Sequence, residues 1–424
     1  MTTLRRAASV SIVLLGFLGL SGGSFAQSLL QLAKDGTPAQ IKSAILSGAN
    51  IEERNTEGMT PLMRAALFND NPGTISELMK AGASIDEKSK EGITPLMFAA
   101  EYSRDPAIVS MLLKAGARVD SRSRHDATPL MFAATSNENP QIVSALLQAG
   151  AKLEDRDMHG RSPLMRAVEF NKNAEVILVL LHAGAPLNNR DDLGRTILEY
   201  AAAYNPNPQV ISVLLMAGAR IDERDKTGWT PLFSAAAVNP NPSIVSALLR
   251  AGARIDDHAD HRITPLMVAA GSNPNPEVVS LLLKAGAKIN EPARMGWTPL
   301  FSAAAFNPNP EIVSALLQAG AQRDHLVVFR QTALMWAARN NRNPNVVSVL
   351  LQAGAKIDQR DRFGKTALMC AAQYTHNPEI ITALLVAGAD GKLKCGGKTA
   401  FEYAEKNNSL KGTHQYQELK DAQF

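Results

Sequence analysis

From Thr60 onward, apolar and polar positions recur in blocks of fixed length. Each block opens with Thr or Ser, at 60, 94, 128, 162, 196, 230, 264, 298, 332 and 366, so the period is 34. Leu stands third in the block and a small pair, usually Ala-Ala, sixth and seventh, which is the spacing of one apolar helix face. Thr can cap the helix and the following Pro has no N–H to leave unsatisfied, so TPL predicts a helix start. That helix ends at Asn in eight of the ten blocks, among them Asn69, Asn137, Asn205, Asn239 and Asn307, and Asn tolerates the left-handed backbone that often ends helices. Two residues on comes a second Asn or Asp, then Pro in all blocks but the one with Ala174, and a second helix of IVSALL type is predicted to run to a Gly at 82, 116 and every 34th residue to Gly388. About ten turn residues follow, usually with Ile-Asp, an Arg-Asp pair and a Gly just before the next Thr.

One such helix pair cannot bury its apolar side alone, so the copies must stack into an elongated array with a continuous core. Length would otherwise suggest two or three domains. Residues 27–59 hold a degenerate unit with Lys and Gln at apolar positions and read as an N-terminal cap. Residues 60–398 hold ten internal units, and the charge-rich residues 399–424 read as the C-terminal cap. Twelve helix pairs at about 10 Å each would span on the order of 120 Å.

Two antiparallel helices with a projecting turn, TPL opening the first and LLxxGA closing the second, resemble the ankyrin repeat, from Gln27 to about Phe424. The resemblance implies an all-α ankyrin solenoid of about twelve helix-turn-helix units, with first-helix ends and turn tips lining a concave, protein-binding groove. This chain departs from the pattern in two ways. Family units of about 33 residues usually carry His fourth and Gly-His between the helices. Here Met stands fourth in seven units (Met63, Met97, Met131, Met165, Met267, Met335, Met369), and an Asn-x-Asn-Pro link adds one residue. Apolar packing is therefore expected to replace the histidine hydrogen bonds between units. The NPNP variety is similar to arrays of exported bacterial proteins.

Residues 1–26 carry Arg5 and Arg6, an apolar run from Val10 to Leu20, and Ser24-Phe25-Ala26, the anatomy of a secretory signal cleaved after Ala26. The run is too short for the roughly 20 residues a spanning helix needs, so no membrane span is expected after cleavage. A periplasmic or secreted monomer is the expectation. The formal charge of +4 falls to +2 without Arg5 and Arg6, and basic residues interleave with acidic ones, so no nucleic-acid partner is expected. Export permits a Cys370–Cys395 bridge, but the narrow geometric tolerance argues against one.

The chain has no nucleophile elbow, phosphate loop, HExxH or paired CxxC, so no enzyme activity and no cofactor are expected. The turn with Asp256, Asp257, His258, Asp260 and His261 is the best metal candidate, but its phase-mates His125 and His159 sit about 10 Å per turn away, and a solvated turn with no metal is expected. Glu199 replaces Met, and because Glu402 recurs at that phase it is expected to be a partly exposed structural residue.

The ninth position of the first helix is the one that varies with purpose. It carries Phe68, Tyr102, Phe170, Tyr204, Phe306 and Tyr374, six aromatics in ten units of a chain with only 5% aromatic residues. The resemblance places this phase in the groove. Trp229, Trp297 and Trp336 add anchors, and Phe329 lies in an apolar turn, His325 to Phe329, where other turns are charged. Exposed aromatics of this kind are hot-spot residues, so the expected function is a non-enzymatic scaffold holding a protein partner of unidentified kind on its concave face. The alternative is a cell-wall or carbohydrate-binding protein whose rings stack on sugars. The units at Thr230 and Thr298 differ over their first 23 residues only at Val238/Phe306, Ser243/Glu311 and Arg250/Gln318, so the groove phase changes while caps and core stay fixed.

Overall fold

A computed structural model describes residues 28–424; the signal segment lies outside the described residues. The described chain forms 24 α-helices in twelve stacked pairs, with three short 3-10 turns. Internal first helices span eight residues, as in Pro61–Phe68, and second helices mostly nine, as in Pro72–Lys80. The first pair, Leu29–Asp35 and Pro38–Leu46, is capped by Ser28 and Thr37, and the last, Ala400–Ala404 and His414–Asp421, by Thr399 and Thr413.

The caps follow from the residues. Thr60 Oγ1 accepts from the Met63 N–H at 3.4 Å, and Asn71 Oδ1 accepts from the Gly73 N–H at 2.9 Å. Every second helix but the last stops at a Gly with positive φ, for example +95° at Gly82, where the Gly82 and Ala83 N–H groups close on Met79 and Leu78 carbonyls. An added Cβ there would meet nothing within 4 Å, so the backbone conformation and not space demands glycine. Two first-helix caps depart from expectation: Thr230 and Thr298 accept no side-chain bond. In both units a Trp–Phe pair holds the corner, Trp229 against Phe233 at 5.9 Å and Trp297 against Phe301 at 6.0 Å.

The helix-ending asparagines are not left-handed. Asn205, for instance, has φ −77° and ψ 129°, an extended residue. The reason is a bond that spacing cannot reveal. Buried Asn205 donates both Nδ2 protons to the preceding unit, to Val168 O at 3.0 Å and Asn171 O at 2.9 Å, while its Oδ1 accepts from Asn207 N–H at 2.9 Å. The same rung repeats at Asn137, Asn171, Asn239, Asn273, Asn307 and Asn341. A second rung runs outside it, with Asn207 Nδ2 on Lys172 O at 2.9 Å and Asn207 Oδ1 capping the helix. The expectation that apolar packing alone replaces the histidine bonds is thus corrected: the methionines are buried, and the polar link between units has moved to the asparagines.

Leu and the small pair of every internal first helix, with Met63, Met165, Met335 and Met369, and Ile or Val and Leu of every internal second helix form one core through the stack. First helices pack on their successors far more closely than second helices do, because Ala keeps no bulk between them. Closer spacing on one side bends a stack toward that side, so the first helices face the inside of the curve.

Asn205→Ala would leave two buried carbonyls and one N–H without partners, a loss of about 3 kcal/mol. Urea unfolding should show this loss, against under about 0.5 kcal/mol for Asn345→Ala, whose exposed side chain bonds nothing. Equal midpoints for the two variants would show the ladder to be dispensable.

Candidate partner-binding face

The ninth position is the last residue of an eight-residue helix, on the side away from the second helix. Phe68, Tyr102, Phe170, Tyr204, Phe306 and Tyr374 are all exposed there, from 36% at Phe68 to 61% at Phe306. Lys34 lies 5.5 Å over Phe68 and Arg339 lies 4.2 Å over Tyr374, so two of the rings carry a cation on one face.

The tryptophans differ from that row in being half-buried. Three sequence-predicted residues come together: Trp297 stacks nearly parallel on Phe306 at 5.7 Å and meets Trp336 edge-on at 4.8 Å, with Phe301 and His325 behind. Trp336 Nε1 is buried and bonds nothing. Phe329 stands apart, on a turn tip with φ 63°, its ring 5.5 Å from Phe363. Phe363 escapes the first-helix pattern, yet with Leu193, Met295 and Phe329 it holds one turn phase, and all four are exposed.

Turn-to-turn bonding shows where the array departs from itself. Arg190 Nη1 donates to Gly194 O in its own turn and to Arg224 O in the next, at 2.6 and 2.9 Å, and Arg122, Arg156 and Arg224 do the same. At this phase Pro292 and Leu326 supply no donor. The neighbouring turns are also those in which His261, Met295 and Phe329 adopt positive φ, a conformation uncommon outside glycine.

The second departure is a cleft of about 200 Å³ lined by Arg195, Glu199, Tyr204, Asp225, Thr227 and Trp229 among others. Glu199 is not partly exposed, as its sequence phase suggested, but 1% exposed. Its Oε2 accepts from the Thr196 N–H at 2.7 Å in a capping box, while its Oε1 is buried without a partner. Burial pushes its carboxyl up to about 8, with the Asp225 charge adding to the rise and the Thr196 bonds opposing it. Beside it, Arg195 is held by Asp191 Oδ2 at 2.8 Å and by the Tyr200 hydroxyl at 2.5 Å. Burial works against the Asp191 charge, but the Arg195 and Tyr200 bonds keep its carboxyl below the ordinary value. A broader depression of about 750 Å³ lies elsewhere, lined by Gln318, Gln322, Arg323 and His325 among others.

The histidine turn disperses its groups. Asp257 is taken by Arg224 at 2.5 Å and His258 Nε2 meets Glu291 Oε1 at 2.9 Å. Among the described residues no three His, Cys, Asp or Glu side chains converge as a metal would need. Cys370 and Cys395 are both buried and unbridged, with Cys395 Sγ donating to Phe363 O at 2.9 Å and burial raising the Cys370 thiol to about 12. No described helix is long and apolar enough to cross a membrane.

The family described as "Ankyrin repeats (3 copies)" matches in five stretches, residues 29–123, 120–191, 198–293, 291–361 and 334–414. The chain belongs to the ankyrin-repeat family. Among solved structures it is similar to the ankyrin repeat domain of human ASB11, 25% identical, with a TM-score of 0.46 over 53% of this chain and 97% of that one. No curated protein sequence matches it. Ankyrin repeats generally mediate protein–protein interaction, and their fold is typically a non-catalytic scaffold.

The raised Glu199 carboxyl ties the stability of this ankyrin array to pH. The folded chain keeps a proton that the unfolded chain releases above about 4.5, so this contribution is full below that value and is lost as pH rises to about 8. Glu199→Gln keeps the cap acceptor and cannot ionise. Its urea midpoint should match the parent near pH 4 and exceed it above pH 8, by an amount on the order of a few kcal/mol. A difference that does not change with pH would contradict the buried, protonated Glu199.

Proposed function

We propose that this ankyrin array is a non-enzymatic scaffold that binds a partner protein along its first-helix side. The exposed aromatic row carries the reading: six rings at one phase, on the inner side of a curved stack, each at least 36% exposed. Rings that stay in water cost the free chain contact they regain only against another surface. The Trp297–Phe306–Trp336 group, where turn bonding is interrupted, is the center of that surface. A sugar-stacking role is disfavoured there, because Phe306 already covers one face of Trp297.

Replacing Tyr204, Trp297 and Phe306 with Ala should leave helix content nearly intact while weakening partner capture, each ring contributing about 1.5 to 3 kcal/mol. Crosslinking in an envelope extract is the measurement, and capture equal to the parent's would remove the aromatic row from the binding face.

The proposal includes export of the chain to the periplasm or medium by residues 1–26. The support is the charged, apolar and small-residue succession at that end. Mass spectrometry of the protein from its native compartment should find Gln27 at the N-terminus; a chain retaining residues 1–26 would refute cleavage.

A further inference from the structure

One cleft on the first-helix side breaks the period in its chemistry as well as its shape. At this turn phase the other aspartates, Asp157, Asp191 and Asp361, have a basic residue four positions on. Asp157 Oδ2 pairs with Arg161 at 3.0 Å and Arg166 at 3.2 Å, and Asp191 Oδ2 with Arg195 at 2.8 Å. Four residues after Asp225 stands Trp229, whose N–H, like that of Thr227, bonds only Asp225 Oδ1. The next carboxyl in the cleft is Glu199, with Oε1 buried and unpartnered, at a position where every other internal unit has Met or Phe. Arg195, the cation in the lining, is already committed to Asp191 and Tyr200, and Arg190, whose charge also acts on Glu199, is held by Glu223 and by the carbonyls of Gly194 and Arg224. Two carboxyl groups thus share a space walled by Tyr204 and Trp229 with no resident cation to serve them.

We propose that this cleft receives one Lys or Arg side chain of the partner protein, its charged head at Glu199 and Asp225 and its stem between Tyr204 and Trp229. The assignment rests on the scaffold reading and names the chemistry its partner must present. The observations fit that occupant in three ways. At about 200 Å³ the cleft admits a side chain but is below the size of ordinary small-molecule sites. Aromatic walls and carboxylates are the two environments that attract a cation together. A Glu at only one internal unit also marks one position on the array, adding a charged reference point to the rings that stand at six of the ten units.

The test uses the full chain and three fluorescein-labelled twelve-residue peptides in which Ala alternates with Lys, Glu or Ser, followed by anisotropy at about pH 9, where Glu199 is ionised and Lys still charged, and about 0.15 M salt, where loose surface attraction is screened. The Lys peptide alone is expected to saturate. Its affinity should fall at least tenfold in Glu199→Gln and in Asp225→Asn, which keep the acceptors that cap the helix and turn, and should be unchanged in Glu311→Gln on the exposed side of a second helix. Helix content by circular dichroism checks that the variants fold. Absence of Lys-peptide binding, equal binding of all three peptides, or affinity unmoved in both cleft variants overturns the proposal. Partner crosslinking separates this from the scaffold reading: capture kept by the cleft variants but lost with the aromatic row removes the cleft and leaves the scaffold.

Discussion

The structure depends on one carboxamide per unit. An asparagine offers two donors and an acceptor on a short arm, so at the link between helices it can bond two carbonyls of the unit before it and one N–H of its own chain. No other neutral residue of that length does all three. Seven consecutive rungs, Asn137 to Asn341, join the middle of the array into one bonded column. Each is buried, so each unit depends on its neighbour not only for apolar cover but for the satisfaction of its main chain. Where Ser103 and Thr375 stand instead, the hydroxyl bonds within its own link, to residues 105 and 377, and the rung is missing. Both gaps fall near the ends of the array, where a unit can fray without opening the column.

The column also sets the shape of the first-helix side. Rungs hold the ends of successive first helices at a fixed height, and the Ala pairs let those helices close up, while Ile, Val and Leu keep the second helices wider apart. The curve that results turns the ninth position inward, one exposed side chain per unit. A residue at that phase contributes nothing to caps, core or column, which frees it to vary. Val238 and Phe306, in units otherwise almost identical, show that freedom.

Much of this was legible in the sequence, because period, caps and core are written in residue types with few alternatives: Thr-Pro, Ala-Ala, Gly after the second helix. Two features were not. The asparagines were visible by position but not by conformation, since the same residue ends helices either by turning left-handed or by reaching across to a neighbour, and spacing within one unit says nothing about the unit beside it. Glu199 misled for a related reason. Glu402 shares its phase and makes a capping box with Thr399, but it stays partly accessible to water. The same side chain in mid-array is covered by the following turn, with Asp225 and Trp229, and burial then holds its proton.

A periodic array faces a difficulty that a globular domain does not: its own regularity makes neighbouring sites alike. Caps and core repeat at a 34-residue period, while the ninth position carries a ring in six of ten units and Ser, Val or Asn in the other four. Position along the array is marked by that variation and by the places where the period fails. The Glu199 cleft occupies one unit; the interrupted arginine ladder, from the turn at His258 to that at Arg360, occupies the units just beyond, with the Trp297–Phe306–Trp336 group inside it. In the proposed scaffold, a charged mark next to an aromatic one, on the same face and in fixed order, would distinguish one alignment of a partner from shifted ones. The repeated stretches of the chain build the rod, and its irregularities are where one unit differs from the next.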